Sequence, residues 1–314
     1  MTTMIALVGE QPIPNLIPVR YLKTEALVLV YTKRTEDKAK NLVRLLAENE
    51  VVRVGVGDPY DLTAIRNAIL KAIHGHTDLL FNLTGGTKTM ALAAYELAKH
   101  TNSPFIYLQT EGTPGQALQT VLYRYRFEAG QSVLEQRVSI NERVIGLDDY
   151  LRAHFGDYET GDFHRTKQGG LSEGGLLEKA VHDALKDWVD DIKVSVRPKG
   201  IKQQLEIDLV MQRGNQVGFI EVKSGGGQSG KEAIDQLTTA AARELSGIYT
   251  ARFVVTAATA HDEYKALASR LDITVIELPG YRDGRLGKTG CEALRRQINA
   301  RLPVGGVTHP EIAC

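Results

Sequence analysis

Glu206-Ile207-Asp208, followed thirteen residues later by Glu221-Val222-Lys223, is the part of this sequence best equipped for chemistry. Alternation along a strand puts Glu221 and Lys223 on one face and Val222 on the other. A turn at Gly214-Asn215 folds Asp208 back beside Glu221, so two carboxylates and an ammonium converge near the ends of two paired strands. Oxygen donors of this kind suit a hard divalent cation, Mg²⁺ or Mn²⁺, with Asp208, Glu221 and the Val222 carbonyl as ligands. Such an ion polarises a phosphate and acidifies a bound water, while Lys223 can position that water or stabilise the growing negative charge. Glu178, on a preceding helix, can add a carboxylate to the same cleft. The plain alternative is a solvent-facing salt pair on an edge strand, worth ~0–1 kcal/mol. The apolar neighbours Ile207, Leu209, Phe219 and Ile220 argue for burial instead, where a bare charge pair is costly and carboxylates are more often functional.

The elements that must hold this cluster follow from periodicity. An amphipathic helix over 174–189 precedes strands at 192–197, 205–212 and 216–223. A helix over 231–245, a strand at 252–256, a helix over 262–271 and a strand at 273–278 complete an α-β-β-β-α-β-α-β order. Lys193, Arg197, Lys199 and Lys202 before the central strands, and Lys231 after them, offer contacts for a phosphate backbone or form an ordinary solvated face. Residues 224–230 (SGGGQSG) read as a flexible loop beside Lys223 that orders when substrate or activator binds.

The first half has a different rhythm. Strands at 4–8, 26–31, 51–56, 78–83, 105–109 and 120–126 alternate with helices at 36–49, from Asp61, and at 87–100, which predicts βαβ units and a mostly parallel sheet. A short helix at 147–154 and a polar, glycine-rich stretch at 156–170 then mark a linker or hinge. The division is 1–145, linker 146–172, second domain 173–304 and a loose tail 305–314.

Asn82-Leu83-Thr84-Gly85-Gly86-Thr87-Lys88-Thr89 leaves a strand and opens a helix. Its glycines allow close backbone approach, the helix N-terminus offers free N–H groups to an anion, and Lys88 adds a charge. It is neither a Walker A loop nor G-x-G-x-x-G. Alone it is compatible with an ordinary strand-to-helix turn. Residues 9–15 (GEQPIPN) form a second loop at the same sheet edge.

Composition narrows the classes. Lys plus Arg and Asp plus Glu both number 38, so any nucleic-acid contact must come from local patches. Two cysteines, Cys291 and Cys314, make neither a disulfide framework nor a zinc site. With no leader-like or membrane-length apolar run, a cytoplasmic protein without membrane contact is expected.

Two resemblances sharpen these readings. Glu178, Asp208 and Glu221-Val222-Lys223 resemble the PD-(D/E)xK nuclease superfamily, over roughly residues 173–278. This implies a restriction-endonuclease-like αβββαβ core, with Asp208 and Glu221 as metal ligands, Lys223 as catalytic lysine and Glu178 as the accessory acid. Gln236 would line the same site. Ile207 stands where many members carry proline. GEQPIPN, YTKRTE (31–36) and NLTGGTKTM (82–90) resemble the CARF domain, a Rossmann-like sensor of cyclic oligoadenylates, over residues 1–145. The combination is similar to CRISPR ancillary nucleases of the Can/Card group. It implies a homodimer with cyclic tetra-adenylate across its two-fold axis, held by Glu10, Gln11, Asn15, Thr32, Lys33, Gly85, Gly86, Thr87 and Lys88. Ligand would rotate domains or subunits through 156–170, switching on cleavage of DNA or RNA. The competing readings are a CARF-type regulator that binds nucleic acid without cutting, and a restriction or repair nuclease that needs no activator.

Overall fold

The computed structural model describes residues 2–111, 119–199, 205–225, 234–235, 237–238 and 250–303. The chain divides into two compact units, the first made of Met1–Glu111 and Gln119–Gly156 and the second running on from Asp157.

In the first unit the strands are β1 (Thr3–Leu7), β2 (Ala26–Thr32), β3 (Glu50–Val56), β4 (Leu79–Asn82), β5 (Phe105–Glu111), β6 (Gln119–Glu128) and β7 (Gln131–Ile140). They form one sheet in the order β3-β2-β1-β4-β5-β6-β7. The first five are parallel neighbours, and β6 and β7 return antiparallel. Every residue of β1 and β4 is buried, as continuous apolar runs covered on both faces require. The helices are α1 (Ile13–Tyr21), α2 (Glu36–Leu45), α3 (Leu62–Ala72), α4 (Lys88–His100) and α5 (Leu147–Phe155). Asp61 caps α3 as its position suggests, with its carboxylate accepting from Ala64 N at 2.9 Å.

Two elements here escape a periodicity reading. Helix α1 starts inside the supposed loop 9–15: Pro12 begins it and Pro14 sits within its first turn, where a missing N–H costs nothing. Strand β7 has no apolar alternation to betray it, because residues 131–137 are all exposed along the sheet edge.

The second unit holds β8 (Tyr158–Thr160), α6 (Glu173–Leu185), β9 (Asp191–Pro198), β10 (Ile207–Arg213), β11 (Gln216–Lys223), β12 (Ala251–Thr256), α7 (Asp262–Arg270), β13 (Ile273–Glu277) and α8 (Lys288–Arg301). Its sheet runs β13-β12-β11-β10-β9-β8, with β8 to β11 antiparallel and β11 to β13 parallel. Leu177, Val181 and Leu185 of α6 and Leu294 and Ile298 of α8 share a core with Leu209, Ile220, Val222 and Phe253. Strand β8 and helix α8 extend the order expected from sequence.

Within 146–172, set aside as linker, the short helix expected at 147–154 is α5, and β8 falls inside the polar 156–170 stretch read from composition as linker or hinge. Helix α5 is tied into the first unit by Arg20 Nη2 donating to Asp149 Oδ1 at 2.8 Å and Asn41 Nδ2 donating to Ala153 O at 3.3 Å. Strand β8 joins the second by pairing with β9. Polar, glycine-rich composition reports solvent exposure here rather than absence of structure. Among the described residues no helix is long and apolar enough to cross a membrane.

Candidate functional site

In the second unit, β10 and β11 are paired through Leu209↔Ile220, one position short of Asp208 and Glu221. Both acids are buried, 5% and 1% exposed, deep enough that their charge needs a partner. Asp208 Oδ2 accepts a hydrogen bond from Val222 N at 2.8 Å. Among the described residues neither oxygen of Glu221 has a hydrogen-bond partner, and Lys223 Nζ stands 3.5 Å from Glu221 Oε2 as an ion pair. Val222 turns its side chain into the apolar core, which confirms the alternation.

Glu178 arrives from α6. Ser172 starts that helix, its Oγ accepting from Gly175 N at 3.0 Å. His164 then meets Glu178 twice: its backbone N donates to Oε2 at 3.1 Å and its Nδ1 lies 2.6 Å from Oε1. A Cβ at position 175 would stand 2.0 Å from His164 O, so only glycine lets this segment lie so close to the helix. One donor atom from each of His164, Glu178 and Asp208 lies within 4.8 Å of the others, a spacing one cation can span.

Electrostatics agree. Burial, then the charge of Asp208, pushes Glu221 well above the usual carboxylate range. Burial also raises Asp208, against the pull of the Val222 N–H and Lys223. Glu178 is raised by burial and by Asp208. For His164 burial lowers the pKa, but the hydrogen bond and charge of Glu178 outweigh it and the net shift is upward. Three crowded carboxylates that resist ionising together are a site for positive charge. The orphaned oxygens of Glu221 and the hard donor set fit a divalent ion such as Mg²⁺ or Mn²⁺.

Glu206 is held by Ser195 Oγ at 2.7 Å and Arg197 Nη2 at 2.9 Å and lies 3.9 Å from His164 Nε2, at the outer side of the group. Lys199 pairs with Glu159 at 3.3 Å. Gln236, Lys202, Lys231 and most of the 224–230 loop lie outside the described residues. His164 is the site residue that sequence reasoning missed, because it sits in the stretch taken for a linker.

In the first unit the ends of β1, β2 and β4 open onto one sheet edge, at the crevice where strand order reverses. The loops there are cross-braced. Asn82 Nδ2 donates to Pro14 O at 2.9 Å and to Asn15 Oδ1 at 3.3 Å, while its own Oδ1 accepts from Thr84 N and Oγ1 at 3.1 and 2.7 Å. Asn15 Nδ2 donates to Leu7 O at 3.0 Å. A Cβ on Gly85 would sit 2.1 Å from Leu7 O. Thr87 caps α4 through Met90 N at 3.1 Å and donates to Pro59 O at 3.2 Å.

The suggested ligand residues divide accordingly. Asn15 is fully buried and Thr32 nearly so, bonded at its N to Thr35 Oγ1 at 3.1 Å. Both are braces beneath the loops rather than exposed contacts. Glu10, Gln11, Lys33, Gly85, Gly86, Thr87 and Lys88 sit at half-buried or exposed positions, Glu10 paired with Arg34 at 2.6 Å.

Comparison with known proteins follows this division. No curated protein sequence matches the chain. Its fold is similar to Can2 from Sulfobacillus thermosulfidooxidans, solved in complex with cyclic tetra-adenylate, at TM-score 0.70 and 14% identity, covering 96% of this chain and 99% of that one. Protein VC1899 from Vibrio cholerae aligns at TM-score 0.70 and 12% identity over 94% and 98% of the two chains. A type III CRISPR defence DNA nuclease activated by cyclic oligoadenylate aligns at TM-score 0.53 and 13% identity, over 93% of this chain and 44% of that one. Residues 3–143 match the family model described as the Card1 CARF domain, so the first unit is a mostly parallel α/β domain with a CARF-like fold.

Proposed function

We propose that this protein is a metal-dependent endonuclease of type III CRISPR defence, activated when its first domain binds a cyclic oligoadenylate, most simply cyclic tetra-adenylate. The observation that carries the nuclease half is the buried meeting of Asp208 and Glu221, with Glu178 and Lys223 beside them. Two carboxylates so placed, with the Lys223 ammonium 3.5 Å from Glu221, still carry excess negative charge in a buried site, and a bound cation would offset it.

On this reading the second unit is a restriction-endonuclease-like PD-(D/E)xK domain. Asp208, Glu221 and the Val222 carbonyl hold Mg²⁺ or Mn²⁺, with Glu178 beside them. The ion supplies Lewis-acid polarisation of the phosphate and an acidified water. Lys223 stabilises charge on the attacked phosphate. Arg197 and Lys193 track the nucleic-acid backbone.

The activator half rests on the CARF match and on the likeness to Can2, a cyclic tetra-adenylate complex. Glu10, Gln11, Lys33 and the 85–88 loop contact the ring, while Asn15 and Thr32 hold those loops in place. A ring with two-fold symmetry is met by the same patch from two subunits, so the acting species is a homodimer.

The test is incubation with supercoiled plasmid and with labelled single-stranded RNA and DNA, in Mg²⁺ or Mn²⁺, with and without cyclic tetra-adenylate. Glu221→Ala and Lys223→Ala run beside the wild type. Cleavage that needs both metal and activator, and vanishes in the variants, is the expected result. Cleavage without activator overturns the switch, and binding without cleavage favours a regulator.

A further inference from the structure

We propose that His164 is a positioning residue of the cation site, holding Glu178 in the orientation that lets its carboxylate act together with Asp208. The proposal rests on the nuclease reading above and adds a residue from outside its motif.

Three observations carry it. Residue 164 occupies both oxygens of Glu178, one through its backbone N at 3.1 Å and one through Nδ1 at 2.6 Å. A carboxylate gripped at both ends cannot rotate away from its neighbour. The grip is itself anchored: His164 O accepts from Ser172 N at 2.9 Å and from Ser172 Oγ at 3.1 Å. The bare Gly175 backbone admits that carbonyl against the first turn of α6. Finally, donor atoms of His164, Glu178 and Asp208 fall within 4.8 Å of one another, so the imidazole stands at the edge of the same cluster.

Orientation matters because α6 begins at Glu173 and carries Glu178 to within reach of Asp208 on β10. A glutamate has three rotatable bonds to fix, and those left loose are ordered only when the cation arrives. An imidazole that fixes a neighbouring carboxylate works as the outer partners of metal ligands do, where loss lowers affinity ~10–100-fold. The ring is half exposed, so its removal leaves the core intact.

The test is Mn²⁺ titration of the full chain, read from the free-ion resonance, with a thermal melt to confirm folding. His164→Ala is expected to weaken Mn²⁺ binding at least about 10-fold. His164→Asn, whose amide nitrogen falls where Nδ1 lay, is expected to stay within about 3-fold of wild type. In a double-mutant cycle, adding His164→Ala to Glu178→Gln should cost little beyond Glu178→Gln alone, because His164 acts through that carboxylate. Unchanged affinity in His164→Ala overturns the proposal while leaving the nuclease reading standing. Equal loss in the alanine and asparagine variants, or full additivity with Glu178→Gln, overturns it in favour of direct ligation by the ring. Wild-type protein that binds no Mn²⁺ overturns the metal-nuclease reading itself.

Discussion

Asp208 and Val222 are joined across the β10–β11 hairpin by a hydrogen bond from the Val222 amide to Asp208 Oδ2, 2.8 Å long. One carboxylate oxygen therefore finishes the hairpin and the other is left for the cluster. Stability and activity should separate at this position. Asp208→Asn keeps an oxygen for the amide, so the unfolding free energy in metal-free buffer should stay near wild type while cleavage falls at least about 100-fold. Asp208→Ala strands a buried N–H and should cost about 1–3 kcal/mol as well. Urea denaturation beside plasmid cleavage checks both; equal destabilisation by the two variants would sink the separation.

Glu221 predicts an opposite sign. Its oxygens are buried beside Asp208, and burial and the Asp208 charge raise its pKa against the pull of Lys223, 3.5 Å away. Removing the charge with Glu221→Gln should stabilise the metal-free protein, by roughly 1–3 kcal/mol. The stabilisation that Mn²⁺ gives the wild type by mass action should vanish in the same variant. Denaturation in chelator and in Mn²⁺ measures both. A variant less stable than wild type in chelator would mean that Glu221 is satisfied without a cation.

At the other sheet edge, Gly85 and Lys88 should fail differently. An alanine methyl at position 85 meets Leu7 O at 2.1 Å, so Gly85→Ala must push apart β1 and the loop, costing stability and ligand affinity together. Lys88 is exposed at the start of α4. Lys88→Ala should leave stability within about 0.5 kcal/mol of wild type and weaken cyclic tetra-adenylate binding about 10-fold, as loss of one charge-assisted contact does. Calorimetric titration and a thermal melt of each variant decide it. Unaltered ligand affinity in Lys88→Ala would remove that residue from the contact set.

These contrasts also mark what the sequence could reveal. The carboxylates on β10 and β11 were legible because strand alternation and a two-residue turn fix which side chains meet, whatever the rest of the domain does. The 82–89 segment was legible as a strand-to-helix loop because its two glycines stand between an apolar run and a helical pattern. The buried brace that Asn15 makes between Leu7 O and Asn82 was not legible, because it depends on α1 beginning four residues after Gly9, in a segment whose prolines read as a loop. His164 was invisible for a related reason. Its partners Glu178 and Ser172 lie fourteen and eight residues away, and His164 itself belongs to no helix or strand, so no periodic pattern links them. Residues that act by tertiary contact from irregular segments leave no periodic trace.

Lys38 gives the last prediction. It lies on α2, half-buried, and its ammonium donates to His154 O at the end of α5. Burial lowers its pKa from 10.5 to about 8, against the raising influence of Asp37 and Glu10. In the unfolded chain the group keeps its ordinary value. Between about 8 and 10.5, the unfolded chain holds a proton that the folded protein has released, so raising the pH favours the folded state. Below that window the group is charged in both states and its cost is constant. Lys38→Met removes the titration. The wild type should therefore gain stability relative to Lys38→Met as pH rises from 7.5 to 9.5, by at most ~1.4 kcal/mol per pH unit within the window. Comparing the two proteins by urea denaturation cancels the titration of every other lysine and tyrosine. Parallel stability profiles would show that Lys38 keeps an ordinary pKa. A diverging pair would identify Lys38, at the α2–α5 contact, as an ammonium whose desolvation cost is relieved as the proton leaves.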